Sequence, residues 1–191
     1  MTTGVYKIPY KGDAQELANY VLDHIGELEW HDHINQSTYN AEEEFSQTHY
    51  AIIDLPQKYK DIIEDSMDCN IVGNTFVWSY GDAVENSIHK DNTAYTDGVG
   101  GGYWNIIMPI IDAGTRIDMW EPLTDIDLKY ASSKHAKPLS QMNHDHFKKT
   151  GELKYEMGDI VFLANQHYYH SVDSETTDKM SLHFYADKPY G

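Results

Sequence analysis

Asp178-Lys179-Met180-Ser181-Leu182-His183-Phe184-Tyr185 is the stretch on which the fold of this chain turns. Side chains of an extended strand alternate between two faces, so Met180, Leu182 and Phe184 form one face. Lys179, Ser181, His183 and Tyr185 form the other. An ordinary half-buried strand would turn its polar face to water, leaving Lys179 and Ser181 merely solvated. The alternative puts the apolar face under helices and the polar face inside a barrel. There a lysine beside a hydroxyl can bind a carboxylate through a charge-assisted hydrogen bond. The residues upstream favour this second arrangement.

Working back, Tyr169–Val172 reads as a strand, Asn165-Gln166 as a turn, and Ile160-Val161-Phe162-Leu163-Ala164 as a buried strand. Two histidines, His167 and His170, lie just beyond that turn, and either could ligate a metal. Much earlier, Ser87-Ile88-His89-Lys90-Asp91 holds a His-x-Asp whose two side chains would project from the same side of an extended strand. Two imidazoles and one carboxylate on one face of a metal leave the opposite positions open, which is the facial triad of non-heme iron.

His89-x-Asp91, then His170, then Lys179-x-Ser181 resembles the iron(II)/2-oxoglutarate-dependent oxygenases, over roughly residues 75–186. The resemblance implies a mainly β fold, a double-stranded β-helix (jelly-roll, cupin-like) core with N-terminal helices packed on one face. It implies that His89, Asp91 and His170 hold iron(II) as the catalytic centre. His170-Ser171-Val172 is similar to the family's His-x-Val segment, which selects His170 over His167 as the distal ligand. The cosubstrate 2-oxoglutarate would chelate the metal through its keto-acid end, with its far carboxylate on Lys179 and Ser181. Asn105, on the strand after the His-x-Asp, is a further candidate to contact it. Lys179 stands where many members have arginine, which keeps the charge and gives up bidentate geometry.

The implied reaction uses dioxygen, converts 2-oxoglutarate to succinate and CO2, and hydroxylates an unactivated C–H bond. Its substrate would be a peptide side chain or a small amino-acid-like molecule. The short architecture resembles small hydroxylases related to prolyl and aspartyl/asparaginyl hydroxylases, including those carried by phages. Two other readings compete. A non-catalytic jelly-roll binding or structural protein is disfavoured by the intact triad, and a cupin-type metalloenzyme without 2-oxoglutarate by Lys179 and Ser181.

Composition bounds the rest. A chain of 191 residues is expected to form one domain, 1–191, with helical support over 1–70 and the jelly-roll core over 71–186. A net charge of −17, with no cluster of Lys and Arg, repels phosphate backbones and argues against nucleic acid as a partner. The single Cys69 cannot close an intramolecular disulfide. No apolar leader or run of membrane-spanning length stands out, so a cytoplasmic protein without membrane contact is expected. Oligomeric state is open.

Residues 13–28 and 56–68 carry helical spacing. Asp13 and Glu16 form a capping-box pattern, and Pro56 suits a first turn. Strands are expected at 71–72 and 75–80, at Tyr103–Met108, at Arg116–Trp120 and at Leu153–Met157. Trp78, Tyr80 and Trp120 are candidates to line the pocket or fill the core. Gly98–Gly102 lacks the spacing of a dinucleotide loop and reads as a flexible turn. Polar residues 121–150 read as one long loop, a candidate lid. His31-Asp32-His33 reads as surface loop, and His144-x-His146 is the rival metal pair, with no strand pattern around it.

Overall fold

The structure, a computed structural model, describes residues 4–33, 48–79, 88, 103–123, 147–176 and 178–189. Helix α1 (Ala14–His24) runs on into a 3-10 turn (Ile25–Glu27), and α2 spans Gln57–Met67. Both form because their apolar side chains recur on one side: Leu17, Ala18 and Val21 are buried on α1, and Tyr59, Ile63 and Met67 on α2. Asp13 caps α1, its Oδ1 accepting from the Glu16 N–H at 3.0 Å. The other half of the expected capping box does not form. The Glu16 carboxylate accepts instead from Lys58 Nζ at 2.8 Å and from the Tyr59 hydroxyl at 3.1 Å. A full charge on α2 outcompetes a backbone N–H, and the two helices are tied together. Asp68 ends α2 in the left-handed region, φ 54°, a conformation that its short polar side chain tolerates.

Among the described residues the strands are β1 (Val5–Pro9), β2 (His31–His33), β3 (Thr48–Ile53), β4 (Ile71–Ser79) and β5 (Tyr103–Ile111). β6 (Arg116–Pro122), β7 (Phe147–Lys154), β8 (Asp159–Leu163), β9 (Tyr169–Asp173) and β10 (Met180–Pro189) follow. They pair antiparallel in two sheets. The large one has the order β1-β8-β5-β10-β4-β3-β2, and the small one β7-β6-β9. From β5 onward the chain crosses repeatedly between the sheets, with β5, β8 and β10 in the large one and the β6–β7 pair and β9 in the small one, the winding of a double-stranded β-helix (jelly-roll).

Each sheet face has its own core. Met180, Leu182, Phe184 and Ala186 of β10 join Trp104, Ile106, Met108 and Ile110 of β5 under Leu17, Val21, Tyr59 and Ile63 of the helices. A second cluster, with Ile107, Val161 and Leu163 from the large sheet and Ile117, Met119 and Val172 from the small one, fills the space between the sheets. The helices therefore cover the outer face of the large sheet, and the polar face of β10 looks inward, as the pocket arrangement requires. The two runs expected around residues 71–80 are one strand with a bulge. Val72 pairs with Tyr185 and Phe76 with His183, so three residues of β4 oppose Phe184 alone, and Gly73 sits there at φ 75°.

Several expectations are corrected. The first 70 residues are not only helical, because β1, β2 and β3 extend the large sheet at both ends. β1 and β2 are edge strands of five and three residues, paired on one side only, which leaves little alternation to read. His31-Asp32-His33 is β2, paired with Thr48–Tyr50, rather than a loop; His31 itself is exposed. The polar stretch 121–150 is not one loop, since β6 reaches Pro122 and β7 begins at Phe147, while 124–146, with His144 and His146, lies outside the described residues. The strand expected at Leu153–Met157 overlaps only the end of β7, whose earlier part was missed because it too is an edge strand, with Lys148, Lys149 and Thr150 exposed. The last strand begins at Met180, one residue after Lys179.

Candidate functional site

β9 places His170. The chain leaves β8, turns at 165–167 with the His167 N–H donating to the Ala164 carbonyl at 3.1 Å, and re-enters the small sheet at Tyr169. His167 is exposed on that turn, whereas His170 is 3% exposed. Its backbone partner across the sheet is Met119, a member of the core between the sheets, so the imidazole belongs to the inner face. His170 Nδ1 lies 3.1 Å from the Tyr168 carbonyl oxygen. A carbonyl only accepts, so Nδ1 is the donor in this contact and the ring orientation is fixed by it. Trp120 braces the strand from the other face, its indole N–H donating to the Ser171 hydroxyl at 3.0 Å. Ile88, the residue before His89 in sequence, packs with Phe147 and with Tyr169, the residue before His170.

The opposite wall comes from the large sheet. Asn105 on β5 is half-buried and pairs across with Leu163 and Tyr185, which puts it on the inner face. Ser181 and His183 share that face, and both Ser181, 3% exposed, and Lys179, 5% exposed, are closed to solvent. Ser181 Oγ is 2.8 Å from His183 Nε2. Burial pushes the Lys179 ammonium down to about 7, with a smaller upward pull from Asp173. That carboxylate also pairs with Arg116, which with Lys149 holds the buried Asp118, at 2.9 and 2.8 Å. These charges lie on the outer face of the small sheet and fix β6, β7 and β9 to one another.

Beyond β10 the inner face of the large sheet is aromatic. The ring of Tyr50 lies 5.2 Å from that of Trp78 and 5.4 Å from that of His31, and the Trp78 ring lies 5.8 Å from His183. Trp78 is half-buried at this edge of the interior; Trp120 packs against the cluster of Ile88, Phe147 and Tyr169. The sequence reading missed Tyr50 and gave His183 no role. Alternation of Tyr50 and Ile52 in Thr48–Ile53 was the available signal for the first.

His89, Asp91, Tyr80 and the glycine run at 98–102 lie outside the described residues. Among the described residues no three His, Cys, Asp or Glu side chains come together as a metal site, and no helix is long and apolar enough to cross a membrane. What the described residues bring together is His170 on one wall with Asn105, Ser181 and His183 on the facing one. Lys179 immediately precedes β10.

A scan of protein-family models finds no match, and a search of curated proteins finds none either. Solved structures do match in fold. A prolyl-4-hydroxylase from Pseudomonas putida aligns with 100% of this chain and 95% of its own, at TM-score 0.51 and 13% identity. HygX from Streptomyces hygroscopicus, solved with nickel and 2-oxoglutarate bound, aligns over 98% of this chain and 84% of its own, at TM-score 0.56 and 12% identity. A Trichoplax adhaerens prolyl hydroxylase, solved with a peptide fragment of hypoxia inducible factor, aligns over 97% of this chain and 84% of its own, at TM-score 0.53 and 12% identity. The class that the architecture defines is thus the double-stranded β-helix, the fold in which these solved structures match this chain. At such identities the likeness is one of fold.

Proposed function

We propose that this protein is an iron(II)- and 2-oxoglutarate-dependent dioxygenase that hydroxylates a C–H bond of a peptide side chain or of a small amino-acid-like substrate. The observation that carries the reading is the opposition of two walls. One presents a solvent-closed histidine, and the other a solvent-closed serine with a solvent-closed lysine just ahead of the strand. The donor chemistry fits the cofactors. An imidazole oriented through its Nδ1 hydrogen bond suits iron(II), and a lysine held out of water two residues from a buried serine suits the far carboxylate of a dicarboxylate.

In this reading His89, Asp91 and His170 hold the metal, Lys179 and Ser181 hold the carboxylate, and Asn105 offers its amide to the same cosubstrate. Iron(II) with 2-oxoglutarate supplies the oxidising power needed to break an unactivated C–H bond. The chain supplies placement. The Tyr168 carbonyl sets the ring of His170, and the Lys179 charge fixes the dicarboxylate. The apolar cluster around Ile107, Met119 and Val161 keeps water from the space between the sheets. A chain with net charge −17 draws neutral or cationic substrates more readily than polyanions. A cytoplasmic location, where both reduced iron and 2-oxoglutarate are present, belongs to the same reading.

Metal titration of single variants tests the ligand set. H89A and D91A are expected to lose iron(II) binding with their far-ultraviolet circular dichroism unchanged. Equal titration of iron into both variants and the wild type would show that these residues are not the ligands.

A further inference from the structure

A serine hydroxyl has one hydrogen and two lone pairs, so its neighbour decides what it can offer a ligand. Ser181 Oγ, 3% exposed, lies 2.8 Å from Nε2 of His183, two residues along β10 and on the same face. The His183 position is framed by its neighbours in the sheet. Ile107 of β5 and Phe76 of β4 are its cross-strand partners, and the Trp78 ring lies 5.8 Å away. Two hydrogen arrangements fit this contact. If Ser181 donates to Nε2, its hydroxyl turns only lone pairs toward the space beside Lys179, and a carboxylate there is repelled. If Nε2 carries a hydrogen and donates to Ser181, the serine hydrogen is free to meet a carboxylate oxygen.

Resting on the dioxygenase reading above, we propose that His183 is a positioning residue that aims the Ser181 hydroxyl at the far carboxylate of 2-oxoglutarate. Binding of the cosubstrate selects the arrangement in which His183 donates to Ser181. No contact between His183 and the cosubstrate is needed. Its side chain acts through the serine, and the chemical step is left to other groups.

The test is a double-mutant cycle on Ser181 and His183, read as the dissociation constant of 2-oxoglutarate by titration calorimetry without dioxygen, and as the apparent KM for 2-oxoglutarate and kcat measured separately. H183L removes the donor, and S181A removes what it orients. Each is expected to raise the dissociation constant and the KM about tenfold, the order expected for one hydrogen bond to a charged group, with kcat little changed. The double variant should be no worse than either single one. H183Q places an amide N–H near the position of Nε2 and is expected to stay within about threefold of wild type, a rescue that packing alone would not give. H183Q also keeps the test open if H183L does not fold. Additive KM effects, an H183L that loses kcat but not KM, or an H183Q as impaired as H183L would each overturn the assignment. A wild-type enzyme that shows no 2-oxoglutarate dependence would instead remove the underlying dioxygenase reading and this inference with it.

Discussion

Lys179 couples stability to pH. Its ammonium sits where solvent does not reach, and burial pushes its pKa from 10.5 to about 7. Between about pH 7 and 10 the unfolded chain therefore binds a proton at this side chain that the folded chain does not. Stability of the cofactor-free protein should rise with pH across that window, because unfolding takes up the proton. Below pH 7 both states are charged and the cost of burying the charge is present in full. K179M removes that cost. It is expected to be more stable than wild type near pH 7, by a few kcal/mol at most, and its denaturation midpoint should be flat where the wild-type midpoint climbs. The same residue should matter in the opposite sense for turnover. K179A is expected to raise the 2-oxoglutarate requirement at least tenfold while iron affinity is nearly unchanged. An unaltered cosubstrate dependence would mean that Lys179 plays no part in binding it.

At the scale of the element, β10 lies in the middle of the seven-stranded sheet and divides its labour by alternation. Leu182, fully buried under the helices, has a packing role only. L182A is expected to cost about 2–5 kcal/mol in urea unfolding, whereas S181A, one residue away on the other face, should cost far less. Comparable losses in the two variants would contradict the assignment of faces. This division is also why β10 was legible in the sequence. Met180, Leu182 and Phe184 against Lys179, Ser181 and His183 is a pattern that only a two-sided strand produces. Helices α1 and α2 were legible because their apolar positions recur with the helical period. By contrast β1, β2 and β7 lie at sheet edges, where one neighbour and one exposed flank suffice, so their composition need not alternate. The spacing of His89, Asp91, His170 and Lys179 could be read from residue types alone. The contact between Ser181 and His183 could not, because a polar residue at alternate positions says which face it is on and not what it touches.

At the scale of the whole molecule, the jelly-roll winding joins distant segments. β4 and β10 are over 100 residues apart in sequence yet pair along the sheet, and β9, which carries His170, faces them from the other sheet. Two features follow from that winding. The interior is lined by one face of each sheet, so the residues proposed to bind metal and cosubstrate come from opposite walls and meet only in the folded state. The helices pack on the outer face of the large sheet and take no part in the cluster between the sheets. The net charge of −17, without a cluster of Lys and Arg in the sequence, disfavours the approach of polyanions. The most direct test of the central claim is conversion of 2-oxoglutarate to succinate by the purified protein, with iron(II) and dioxygen each supplied or withheld. The account predicts succinate only when both are present, and its loss in D91A; succinate formed without iron or without dioxygen, or none under any condition, would contradict it.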